Sequence, residues 1–286
     1  MDASIFKVDL EKLRAGDRAQ MQKVLLYGAG AFALVLLYRW LRRDPIDQKP
    51  SKGDELTDPS APTGTLTLLT SVLTPEQAVA FTNALPDRAK KYAPMFIESG
   101  KKNGVSPLVL AGLMSTETRY GAGCGAPGTT PLPQCRGMTK EDWGLMQINS
   151  SHTQFMAKQV NGRPAYEDPY TVIMYAGSVL RDSIRFMKKP ANKSGRYKIY
   201  NAWRPAKYGC NPALVQNGTV PDRRPVDGMA ALRAGIAGYN AGPGYPPIAI
   251  GCGVDPDVVT HDGHYVEKTL TEANRILSEM QAVGVV

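Results

Sequence analysis

Histidine is scarce in this chain, with three in 286 residues. None stands beside cysteine or acidic residues at metal-ligand spacing, which argues against a metal site. There is no CxxC pair, so a four-thiolate zinc site is disfavoured as well. A cysteine nucleophile lacks a histidine in any paired context. No Lys/Arg-rich block interleaved with aromatics appears, which makes nucleic acid the weakest candidate partner. Alternating strand patterns and internal repeats are missing too, so a sheet-based or repeat architecture is not indicated.

What is present is a basic chain with enough apolar residues for a core. Hydrophobic residues make up 43% and the formal net charge is +8. That charge suits an anionic partner such as acidic lipid or an anionic cell-wall polymer. The length allows one large domain or two small ones.

Residues 1–23 are charged and mixed, with Ile5, Phe6, Val8, Leu10 and Leu13 as the apolar positions of a short amphipathic helix. Val24 to Tyr38 carry no charge, and Trp40 and Leu41 extend the run toward membrane-spanning length. Lys23 and Arg39 can snorkel at its ends, and Tyr27, Tyr38 and Trp40 suit the interface. The expectation is a single uncleaved transmembrane anchor over 24–41; a buried core helix is the plain alternative. A cleaved signal fits less well, because Arg39-Trp40-Leu41-Arg42-Arg43 follows in place of small residues. Residues 42–69 form a polar linker, richest in Pro, Asp, Ser, Thr and Lys between Asp44 and Gly64. The folded, mainly helical domain is expected over 70–286, after a single N-terminal hydrophobic helix.

Within that domain Thr74-Pro75-Glu76-Gln77 reads as cap, first-turn proline and capping box for a helix over 75–84. A further helix is expected from Asp87 to Asn103. Ser106-Pro107 then opens a helix that should stop near Tyr120-Gly121-Ala122-Gly123. Leu110, Leu113, Met114 and Glu117 share one face of it, at i, i+3, i+4 and i+7. A carboxylate on an apolar face at the negative end of the helix dipole has its pKa raised, as a general acid requires. The plain reading is a helix-end glutamate turned to solvent.

Cys124, Cys135, Cys210 and Cys252 all fall in Gly- or Pro-rich sequence. An even count in loops suggests two disulfides in an oxidising compartment. Three pairings are possible, and locality favours Cys124–Cys135 with Cys210–Cys252; free thiols are the alternative. Trp143-Gly144-Leu145-Met146-Gln147-Ile148-Asn149 sets an amide among apolar residues, with Gly144 permitting close backbone approach. A small-residue helix over Met229 to Ala237 runs into Gly238-Tyr239-Asn240-Ala241-Gly242, a turn that exposes a phenol and an amide. Tyr265 opens a last helix to about residue 282. Rings and amides of this kind suit a sugar chain.

The order Glu117-Thr118-Arg119-Tyr120, Gly144-Leu145-Met146-Gln147, Tyr239-Asn240-Ala241-Gly242, Tyr265 resembles the motif series of soluble lytic transglycosylases and goose-type lysozymes. Tyr166-Glu167-Asp168-Pro169 and Ala176-Gly177-Ser178-Val179-Leu180 are similar to the family's lead into its next helix. The resemblance covers about residues 90 to 280. It implies a lysozyme-like helical fold with loop insertions, a sugar-binding cleft and no cofactor. It implies Glu117 as catalytic acid/base. Thr118, Met146, Gln147, Tyr239 and Asn240 would bind substrate, and Tyr265 would bond or orient the Glu117 carboxyl. The reaction implied is cleavage between N-acetylmuramic acid and N-acetylglucosamine. Glu117 protonates the leaving oxygen, the substrate's acetamido group stabilises the anomeric carbon, and Glu117 then deprotonates the muramic 6-hydroxyl to give a 1,6-anhydro product.

Thr118 stands where the family usually has Ser, and Gly238 where it usually has Ala. The larger departure is an insertion over about 188–228, which contains Cys210; it either reshapes the cleft or decorates the surface. Glu141 and Asp142 read as solvated loop acids. The expected partners are peptidoglycan strands, a membrane through 24–41, and a phage particle or secretion-type envelope complex. The catalytic domain would sit in the periplasm or cell envelope, or be carried in a virion. A hydrolytic lysozyme and a non-catalytic peptidoglycan-binding scaffold are the competing functions.

Overall fold

The computed structural model describes residues 69, 72–122, 142–199 and 208–285, all within the compact unit Glu55–Val286. The expected N-terminal segment, anchor and most of the linker lie outside the described residues, as do Cys124, Cys135 and Glu141. Among the described residues no helix is long and apolar enough to cross a membrane.

The chain is mainly α-helical. Helix α1 (Pro75–Ala84) starts on the expected capping box, with Thr74 accepting from Gln77 N and Gln77 reaching back. The expected Asp87 to Asn103 helix is two: α2 (Asp87–Lys90) and α3 (Ala93–Asn103). Pro94 divides them: it has no N–H to donate to Lys90 O, the bond a continuous helix would need, whereas at the second position of α3 no such donor is required. Helix α4 (Pro107–Thr118) follows. After it come two short ribbons, β1 (Asp142–Trp143) with β2 (Ile148–Asn149), then, past α5 (Thr153–Met156), β3 (Gln159–Val160) with β4 (Arg163–Pro164). Both are antiparallel and too short for any alternating pattern to show in sequence.

Helix α6 (Pro169–Met187) is capped by Asp168, whose carboxylate accepts from Thr171 N at 2.7 Å. The third ribbon pairs β5 (Arg196–Lys198) with β6 (Thr219–Pro221). Helices α7 (Gly228–Ala241), α8 (Pro246–Cys252) and α9 (Tyr265–Ala282) complete the fold. Helix α7 runs through Tyr239 and Asn240, which therefore stand on its last turn and not in a loop after it.

Helix α4 is the centre. Every residue from Pro107 to Met114 is buried, so it is apolar on all sides and not along one stripe. Each fully buried Leu or Met contributes roughly 1.5–3 kcal/mol. Helix α9 packs against α4, and α6 packs against α3 and α7. At Gly112 a Cβ would overlap the Thr269 carbonyl oxygen, so glycine brings the α4 and α9 backbones together there.

Residues from the 188–228 stretch contribute to a buried core. Tyr197, Cys210, Val220, Ile248, Ala249 and Cys252 form a second buried cluster joining the β5–β6 ribbon to α8. The Cys210–Cys252 disulfide, one of the expected pair, closes it. Asp222 and Arg224 pair at 2.8 Å inside this lobe, with the guanidinium 4.7 Å from the Phe186 ring and 5.0 Å from that of Tyr197.

Candidate active site

Helix α4 delivers Glu117. Ser106 caps it, accepting from Leu108 N at 3.3 Å. Arg119 and Tyr120 then take left-handed φ values of 51° and 57° and end the helix abruptly. Glu117 is half-buried where the apolar helix emerges into a cleft. The cavity, about 60 Å³, is walled by Glu117, Asp142 and Gln147, by Ile148 and Asn149, and by Tyr239 and Asn240.

Three elements meet at the carboxyl. Tyr265, the first residue of α9, donates its hydroxyl proton to Glu117 Oε1. Asp142, from β1, lines the same cavity. Tyr239 rises from α7 and donates to the Met146 carbonyl at 2.7 Å. Burial pushes the Glu117 pKa up; the Tyr265 hydrogen bond opposes this and the Asp142 charge adds to it, leaving the group at about 8. Burial, then the charge of Glu117, drives both phenols well above their ordinary range, so each remains a donor.

The β1–β2 turn is held from behind. Gly144 adopts φ 75°, and any Cβ there would overlap the Tyr166 carbonyl oxygen, the close approach expected of this glycine. Gln147 also takes a positive φ, 47°, and its Nε2 donates to Gly144 O at 2.8 Å. Thr118 is buried, donating to Leu145 O at 2.9 Å and accepting from Gly121 N at 3.1 Å. It fastens the turn to α4 and does not line the cavity. Met146 is fully buried, offering its carbonyl to Tyr239 while its side chain enters the core. Of the residues expected to bind substrate, Gln147, Tyr239 and Asn240 reach the cleft; Thr118 and Met146 support it from behind, and Tyr265 orients the acid.

Asp142 and Asn149 are what sequence reasoning missed. Asp142 is half-buried in the cleft wall, and Asn149 Nδ2 donates to its Oδ1 at 2.9 Å across the ribbon. It is not a solvated loop acid: it stands in β1, pairs with Asn149 and lines the same cavity as Glu117. The signal available was the short separation of Asp142 from Asn149 across a glycine turn. Asp257, buried, accepts from Val266 N at 2.9 Å, Glu267 N at 3.1 Å and Thr260 Oγ1 at 2.9 Å. These bonds cap α9 and fix the turn from which Tyr265 points. Asn240 Oδ1 accepts from His261 N at 3.1 Å, tying the end of α7 to the same loop.

The arrangement has the features a general acid would need: a carboxyl whose pKa is raised to about 8, a phenol bonded to it, and amides in the same cavity wall. Tyr265→Phe removes the bond that favours the Glu117 anion. With Asp142 and Tyr239 the other groups facing it, its pKa rises further. The alkaline limb of the pH–rate profile is expected to move up in that variant, with a fall in kcat; an unmoved limb would contradict the assignment. Among the described residues no three His, Cys, Asp or Glu side chains gather as a metal-holding group. No protein-family model matches the chain, and no curated protein matches it either.

Proposed function

We propose that the chain is a peptidoglycan lytic transglycosylase on a lysozyme-like helical fold. It would cleave the bond between N-acetylmuramic acid and N-acetylglucosamine with a 1,6-anhydro product. The observation that carries this reading is the Glu117 carboxyl, held by Tyr265 in a cleft walled by Gln147, Tyr239 and Asn240, with its pKa at about 8. One such group suffices when the substrate's own acetamido group assists. Residues 24–41 are proposed as a membrane anchor that holds the domain near the cell wall. Its use would be local wall opening, for phage genome entry or for a trans-envelope machine.

Asp142 supports a second reading. A carboxylate facing the acid is what a hydrolytic lysozyme uses, as nucleophile or as the base that activates water. Mass spectrometry of products from purified sacculi separates the two: 1,6-anhydro termini mark transglycosylation and reducing-end muramic acid marks hydrolysis. Under the leading reading Asp142→Asn keeps the anhydro product and lowers the Glu117 pKa by removing a neighbouring charge, so its alkaline limb moves down. Only reducing ends from the unmodified protein would overturn transglycosylation. No release of muropeptides at all would favour a binding scaffold.

A further inference from the structure

The net positive charge of this protein falls almost wholly in one stretch of its sequence. Residues 188–228 hold nine Lys and Arg against two Asp, a balance of +7 where the whole chain has +8. In the lobe built from these residues, Asp222 is consumed internally by Arg224, and both side chains are buried. That leaves Lys189, Lys193, Lys198 and Arg223 exposed, with Arg185 exposed in the adjoining last turn of α6. Among the described residues no carboxylate pairs with any of these five.

The lobe is also braced. The β5–β6 ribbon, its buried cluster and the Cys210–Cys252 disulfide join it to α8, and Gly251 lies so close to the Pro221 carbonyl that a Cβ would overlap it. Helix α8 starts six residues after Asn240, so the lobe is attached just beyond the α7 end of the cleft. Charges on a braced support lose little conformational freedom on binding, and exposed cations of one lobe that lack carboxylate partners among the described residues cost self-repulsion that a partner's anions relieve.

We propose that the insertion lobe is a second substrate-binding surface that holds the carboxylates of an anionic glycan–peptide polymer while the cleft takes its sugar chain. This rests on the proposed function, whose substrate carries stem-peptide carboxylates along a strand far longer than the cleft. The lobe selects polymer over short fragments and keeps the cleft on the strand between turnovers. The insertion then has a role that neither Glu117 nor the cleft wall supplies.

The test uses the full chain carrying Lys189→Gln, Lys193→Gln, Lys198→Gln and Arg223→Gln together. In a Glu117→Gln background, co-sedimentation with purified sacculi is measured across a NaCl series. The affinity at low salt is expected to fall by about tenfold or more, and its salt dependence to flatten. With Glu117 intact, the quadruple variant is expected to raise KM on sacculi while leaving turnover of short glycan oligomers stripped of their stem peptides unchanged. Unaltered sacculus affinity and salt slope would overturn the proposal. So would a loss confined to DNA or to anionic lipid vesicles, or an equal loss on the peptide-free oligomers. Failure of the parent protein to turn over either substrate would count against the catalytic reading alone, because sacculus binding is read without turnover.

Discussion

Glu117→Gln is expected to abolish release of muropeptides while sacculus binding survives, and to make the protein more stable at alkaline pH. Loss of a general acid costs about 10²–10⁴-fold in rate. The amide keeps an acceptor for the Tyr265 hydroxyl, so the cleft geometry is retained. The stability effect follows from linkage. Glu117 has a pKa of about 8 in the folded protein against 4.5 as an ordinary glutamate, so the native state holds the proton more tightly than the unfolded one. The stability this contributes is full below pH 4.5 and is lost as pH rises through 8. The loss is on the order of a few kcal/mol at most, because solvent reaching the half-buried group screens it. The substituted amide does not titrate, so the stabilities of variant and parent should run together below pH 4.5, separate in the variant's favour as pH rises toward 8, and keep a constant gap above it. Parallel melting at every pH, or unchanged turnover, would refute the role given to this residue.

The second large effect is expected from Gly112→Ala. Alanine is the better helix former by about 1 kcal/mol, so propensity alone would stabilise α4. Packing decides otherwise. The new methyl would overlap the Thr269 carbonyl oxygen, which is helix backbone and cannot rotate away. Overpacking of this kind costs about 1–3 kcal/mol. It also separates α4 from α9 where Thr116 and Thr269 share a hydroxyl contact at 3.1 Å, one turn from the Glu117–Tyr265 bond. Denaturant titration should show a lower midpoint, and residual activity should fall more than residual folded fraction. Full stability in this variant would mean that the two helices are less tightly joined than the backbone contact requires.

Local rules carried much of the helical fold. The capping box at Thr74, the cap at Ser106 and the start of the last helix at Tyr265 each depend on a few neighbouring residues, and the structure has all three. Helix α7 outran its expected end because Gly238 takes no positive φ and stays helical, and the termination falls at Gly242, where φ is 94°. The site was half readable. Glu117, Gln147, Tyr239 and Asn240 reach the cleft, but Thr118 and Met146 turn inward, because a motif names residues without saying which way they face. Asp142 escaped since a two-residue strand has no period, and its orientation comes from pairing with Asn149. The lobe over 188–228 escaped for a different reason. Its core joins β5, β6 and α8 across intervals of sequence that no local pattern spans.

The disulfide separates its two cysteines by 42 positions, and the segment it closes contains β6 and all of α7 and α8. Tyr239 and Asn240 thus belong to a covalent ring, whereas Glu117, Asp142 and Gln147 stand outside it. A protease that nicks the chain once between Cys210 and Cys252 leaves the two fragments tethered, so this wall of the cleft survives a cut that would free it from the reduced protein.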